Sequence, residues 1–139
     1  MTLEQIKQLS DDEIRIKVAE LLGWQCVTEE ETSDGIDWAG FSPDGTLNSG
    51  VNAGEYRGYG SCGYRFVLPN YPHDLNACAA MEDTLDDSQK DSFEYLLGIV
   101  IGPGRERWRW HLLHATARQR CEAFIVTKAR ETKNETITT

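Results

Sequence analysis

The chain has 139 residues, 40% of them hydrophobic and 27% charged, and a formal net charge of −9. That length fits a single domain whose core closes without disulfide or metal staples, and the longest apolar run, Leu96 to Ile101, is far short of the roughly 20 residues that span a bilayer. The charge is lopsided, with 19 acids against 6 Lys and Arg in residues 1–101 and 4 acids against 8 bases in residues 102–139; an acidic body repels nucleic acid at long range, which disfavours general nucleic-acid binding but leaves mimicry of nucleic acid toward a basic protein open.

In chain order, a short helical turn over Leu3 to Leu9 precedes the clearest local signal of the first half. Ser10 and Glu13 stand at capping-box spacing, with Leu9 and Ile14 at the staple positions. Ile14, Val18, Leu21 and Leu22 then form one apolar stripe, and Gly23 supplies the left-handed residue that ends a helix. Asp11, Asp12 and Glu13 favour the positive end of its dipole. From Trp24 to Leu68 short runs, WQCVT, GIDWAGF and GYRFVL, alternate with turn signals such as PDG at 43–45, and predict strands of a small antiparallel sheet. LNSGVNAGEYRGYGSCG, residues 47–63, holds too many glycines for a regular element and is expected to be a mobile loop.

After LPNYP, Asp74 is placed to cap a helix in which Leu75, Cys78, Ala79, Glu82 and Leu85 recur at helical spacing. A further helix should begin near Asp87, bury Phe93, Leu96, Leu97 and Val100, and break at GPG, residues 102–104. The last predicted helix runs from Leu113 to Lys128, with Ala117, Cys121, Phe124 and Ile125 inward. The domain is drawn over 1–131, and a polar tail over 132–139 is expected to fray.

GYGSCG, residues 58–63, has the G-x-G-x-x-G spacing of a dinucleotide loop. Such a loop must follow a strand and open a helix, whose N-terminus holds the pyrophosphate. Here the glycines lead into YRFVLP, a strand-forming run, so the context argues against a nucleotide at that place. The cysteines 26, 62, 78 and 121 form no C-x-x-C pair and follow no secretory leader, so they are expected to be reduced, without a zinc cluster.

KVAELLGW at 17–24, LPNYPHDLNACAAMEDTL at 68–85 and HATARQRCEAFIVT at 114–127 together resemble the phage ABA-sandwich domain, over residues 10–130. The resemblance implies an origin in a phage or prophage, a bacterial host cytoplasm as the setting, and a sheet covered by helices. It implies little about activity. Gly23, Trp24, Asn70, Tyr71, Asp74, Asn76, Ala117, Arg118, Gln119 and Arg120 are the motif positions, while the glycine-rich insertion and RERWRW lie outside the pattern.

RERWRWHLLHATARQR, residues 105–120, concentrates five arginines and two tryptophans in an acidic protein. Guanidinium forks match phosphate oxygens and indoles stack on bases, so Arg105, Arg107, Trp108, Arg109, Trp110, Arg118 and Arg120 are the candidate ligand-binding residues. The plainer reading pairs these arginines with the acidic body and puts the tryptophans in the core. Trp24 anchors the end of its helix against the sheet. His111 and His114 could share a helix face, but a metal site needs three or four convergent ligands, and no metal or other cofactor is expected. No familiar hydrolase or transferase motif occurs.

These features predict an α+β fold, a small mainly antiparallel sheet covered by helices in an α-β-α sandwich, in one domain. The expected function is non-catalytic binding by a phage or prophage accessory protein that blunts a host defence system. It would either sequester a nucleotide signal through the arginine–tryptophan stretch, in a pocket that a homo-oligomer could form between subunits, or present Asp11, Asp12, Glu29, Glu30 and Glu31 to a basic host protein. A small enzyme acting on a phosphorylated or nucleotide substrate is the alternative. No membrane partner is expected.

Overall fold

The structure is a computed structural model that describes residues 1–32, 35–43, 56–60, 63–102 and 108–138, with side chains described within 1–31, 35–43, 66–102 and 110–130. Its helices and strands, in chain order, are α1 (Leu3–Lys7), α2 (Asp11–Leu21), β1 (Gln25–Thr32), β2 (Gly35–Phe41), β3 (Tyr56–Gly60), β4 (Gly63–Val67), a 3-10 turn (Tyr71–His73), α3 (Leu75–Glu82), α4 (Asp87–Ile101), α5 (Trp108–Leu113) and α6 (Ala117–Thr138). The fold is α+β in one small domain.

Reciprocal capping sets the start of most helices. Thr2 with Gln5 opens α1, Ser10 with Glu13 opens α2 and Asp86 with Gln89 opens α4. Thr116 and Gln119 do the same for α6, where the Gln119 amide donates to the Thr116 hydroxyl and Gln119 Oε1 accepts from the Thr116 amide, at 3.0 and 2.9 Å. Each cap is worth about 1 kcal/mol because it satisfies amides that the helix leaves without partners. Gly23, at φ +102°, ends α2 in a conformation that side chains with a Cβ rarely adopt.

The strands form one antiparallel sheet in the order β1-β2-β4-β3. The register of β1 against β2 slips between Gln25 and Thr28. Cys26, with φ +54°, absorbs the extra residue. Gly40 lies beside that bulge, and a Cβ there would come within 3.0 Å of the Gln25 carbonyl, so the close approach of the two strands requires glycine.

Two predicted elements differ from the structure. Tyr56–Gly60, expected within a mobile loop, is strand β3; Tyr56 pairs in register with Phe66 and Tyr59 with Tyr64, and a hydrogen-bonded ladder with aromatic residues at these places outweighs the two glycines between and after them. Residues 47–55 and 61–62 of the glycine-rich stretch, Cys62 among them, lie outside the described residues. The last predicted helix, Leu113 to Lys128, is shifted: α6 starts at Ala117 behind its cap, after a separate α5, and runs past Lys128 to Thr138, since no Gly or Pro interrupts it.

α6 is the hub of the helical layer and packs on α1, α2, α3, α4 and the 3-10 turn. Its residues 121–125 are buried in succession, which a helix permits only when neighbours surround it. Phe124, Ile125, Ile6, Ile14, Leu68 and Met81 are almost fully buried, each stabilising the fold by about 1.5–3 kcal/mol relative to exposure. Arg15 of α2 joins this layer to the sheet. Only 7% exposed, it donates to the Pro69 carbonyl at 3.1 Å, to the Leu68 carbonyl, and to Asp37 of β2 at 2.7 Å.

Candidate functional site

Two residues apart at the start of α6, Arg118 and Arg120 point into different parts of the molecule. Arg118 reaches the α1–α2 junction. Its guanidinium donates to Asp11 at 2.7 Å, to Glu122 at 3.0 Å, and to the carbonyls of Leu9, Lys7 and Ile6 at 2.7, 3.2 and 3.3 Å. The hydrogen bond from Arg118 is the main reason that the Asp11 carboxyl is held below the usual aspartate range, and His73, 2.8 Å away, adds to it. Glu122 is buried, and its charge is tolerable there because Arg118 lies one turn back on the same helix.

Arg120 points instead into a cleft of about 330 Å³ between α3, α4, α5 and the start of α6. Leu85, Phe93, Leu97, Leu112 and Leu113 give this cleft apolar walls, and Glu82, Asp83, Lys90 and Glu94 join Arg120 as its charged groups. Arg120 donates to Glu82 at 3.1 and 3.4 Å and to the Leu112 carbonyl at 3.0 Å, which ties α5 to α3 across the floor. Burial pushes the Glu82 carboxyl above the usual glutamate range, although Arg120 pulls the other way. Leu113 lines the cleft yet is 76% exposed. An apolar side chain left open in a concave wall is the surface a ligand or partner would cover.

One turn earlier on α5, Trp110 is 57% exposed and stacks on His114, with ring centroids 4.0 Å apart at 25°. The His114 Nδ1–H donates to the Trp110 carbonyl at 2.9 Å and fixes the pair. Of the other candidate binding residues, Arg105 and Arg107 lie outside the described residues. Trp108 and Arg109 begin α5, but their side chains are outside the described set. The two arginines that are described are both bonded to the chain's own carboxylates and carbonyls, and only Arg120 lines the cleft.

Of the motif positions only Trp24, Tyr71 and Ala117 are buried. Trp24 and Tyr71 both belong to the core, and burial raises the Tyr71 pKa. Asp74 accepts from the amides of Asn76 and Ala77 and so caps α3. The Cys78 thiol donates to the Tyr71 carbonyl at 3.2 Å and to the Ala117 carbonyl at 3.5 Å. Asn70 is exposed, and its carbonyl accepts from His73 as the 3-10 turn begins. Gly23 turns the chain, and Gln119 caps α6. Each of these roles builds the fold.

Among the described residues no three His, Cys, Asp or Glu side chains converge as a metal site. His73, His111 and His114 are all exposed and stand apart from the cleft walls. Gly58, Gly60 and Gly63 fall in paired strands with no helix after them, so the G-x-G-x-x-G spacing does not open a phosphate cradle. Among the described residues no helix is long and apolar enough to cross a membrane. Comparison with protein-family models, with curated proteins and with solved structures finds no match.

Spacing alone missed Glu82, Asp83, Lys90, Glu94 and Leu113. One signal was present: Glu82 falls on the same helical stripe as Cys78 and Leu85, and a carboxylate on an apolar stripe calls for a cation opposite.

Proposed function

We propose that this chain is a phage- or prophage-encoded accessory protein that acts by binding rather than by catalysis, and that it inhibits a host defence system by capturing a host protein. The phage origin and the host cytoplasm as its setting rest on the resemblance carried by Gly23, Trp24, Asn70, Tyr71, Asp74 and the Thr-Ala-Arg-Gln-Arg run. The observation that carries the binding reading is the cleft with Leu113 open in its wall. Of its charged groups Glu82 is already paired with Arg120, and the apolar walls supply most of the contact it can offer. A partner protein fits such a surface better than a nucleotide, because Arg118 and Arg120 have their donors engaged within the chain.

Sequestration of a nucleotide signal is the second reading, favoured by the exposed indole of Trp110 on its His114 support, a ready platform for a base. A photo-crosslinking amino acid in place of Leu113, introduced in the bacterial host, separates the two. A discrete host-protein adduct, absent when the same group replaces the exposed Ile36, is the expected result. No adduct from position 113, with thermal stabilisation by one of a panel of cyclic and linear nucleotides, moves the function to sequestration; a ligand at 100 times its dissociation constant adds about 2.7 kcal/mol. Turnover of a substrate, lost on replacing a single carboxylate or histidine, would overturn both.

A further inference from the structure

Resting on the reading that the cleft holds a host protein, we infer that its occupant is a basic amphipathic helix, seated with an apolar side chain against Leu113 and its positive face along α4. The cleft supplies the apolar half of this recognition through Leu85, Phe93, Leu97, Leu112 and Leu113.

The charged half lies on the neighbouring surface of α4. Asp87, Asp91 and Glu94 follow one another at i, i+4 and i+7 on α4 and are all exposed. Among the described residues none of them has an ion-pair partner within 4.0 Å. Asp83 stands exposed on the cleft rim, also without one. Lys90 is the one base of the cleft that no acid holds among the described residues, since Arg120 is bonded to Glu82.

The ladder of three acids extends over about 10 Å of helix, which matches two turns of a partner helix carrying Lys or Arg at the same spacing. A helix laid in a groove buries one apolar stripe and keeps its charged flank beside the groove. Glu94 lines the cleft with Leu113, and Asp91 and Asp87 continue from it along the exposed surface of α4, so a single such helix can satisfy both. Phosphate-bearing ligands fit this surface less well: Asp83 and Glu94 outnumber Lys90 among the unpaired charges of the cleft, and its guanidinium is occupied.

The test uses the full chain and a synthetic helix of leucine and lysine, amphipathic and about five turns long, followed by fluorescence anisotropy. A leucine–glutamate helix of the same pattern and a lysine peptide with the leucines scattered are the comparisons. Binding of the leucine–lysine helix is expected to weaken about tenfold in Leu113→Asp and by a similar factor in the triple variant D87N/D91N/E94Q, with Ile36→Asp unchanged. All these positions are exposed, and circular dichroism verifies that each variant stays folded.

Equal binding by wild type and by both cleft variants overturns the inference, because attraction is then only to overall charge. So does equal binding of the leucine–glutamate helix or of the scattered peptide, or no binding of the leucine–lysine helix to wild type. An adduct from position 113 with a host protein, together with any of these failures, leaves capture of a host protein standing and removes only the basic helix as its occupant.

Discussion

Arg118 and Arg120 leave the same turn of the same helix and close two regions of opposite character. Around Arg118 the chain is densely bonded: one guanidinium meets two carboxylates and three carbonyls from α1, the α1–α2 junction, the first residue of α2 and α6. Around Arg120 it is open: the guanidinium meets one carboxylate and one carbonyl, and the walls above it leave room for a guest. The residue type is therefore a poor guide to role. What separates the two, whose exposure is alike, is how many chain groups converge on each guanidinium, which only the fold decides.

The largest expected effect falls on the densely bonded side. Arg118→Met strands the buried Glu122 and the junction carbonyls, and should cost about 3–5 kcal/mol of unfolding free energy in urea titration. Arg120→Met should cost roughly 2 kcal/mol, because Glu82 lies at the edge of a cleft that water can enter. Equal losses in the two variants would erase the distinction between the regions.

Acid titration should sharpen it, with a smaller effect. The folded pKa of Asp11 is lowered, so its contribution is complete above the ordinary aspartate value of about 4 and fades as pH falls through the folded value. The folded pKa of Glu82 is raised, so stability declines as pH climbs from the ordinary glutamate value toward the raised one. Asp11→Asn should flatten the acid limb of the stability curve, and Glu82→Gln should remove the decline. The same slope change in both variants would contradict the opposite signs. Leu113→Asp should change stability least, within about 0.5 kcal/mol, since the side chain is mostly exposed; a cooperative loss on thermal melting would show that Leu113 belongs to the core.

Much of this architecture was legible in the sequence. Ser10 with Glu13, Gly23, Asp74 and the Phe93–Val100 stripe act through neighbours a few residues away, so spacing reveals them. Strand β3 was hidden because its support comes from cross-strand partners, while its own glycines signal a loop. Thr116-x-x-Gln119 was a readable cap, but the apolar residues just before it, Leu112 and Leu113, drew the helix start too early. The cleft was the least legible part. Its residues come from α3, α4, α5 and α6, and only tertiary packing brings Glu82 to Arg120. Composition pointed instead to the arginine–tryptophan stretch, which divides among a helix with an exposed indole, two engaged guanidinia and residues outside the described set.

The contact between Arg118 and Asp11 joins positions 107 residues apart. During synthesis α1 and α2 therefore emerge with their junction carbonyls answered only by water, long before the partner that closes them is made. Folding of this layer must wait for α6, so truncation before α6 should release a polypeptide that stays a client of chaperones and proteases.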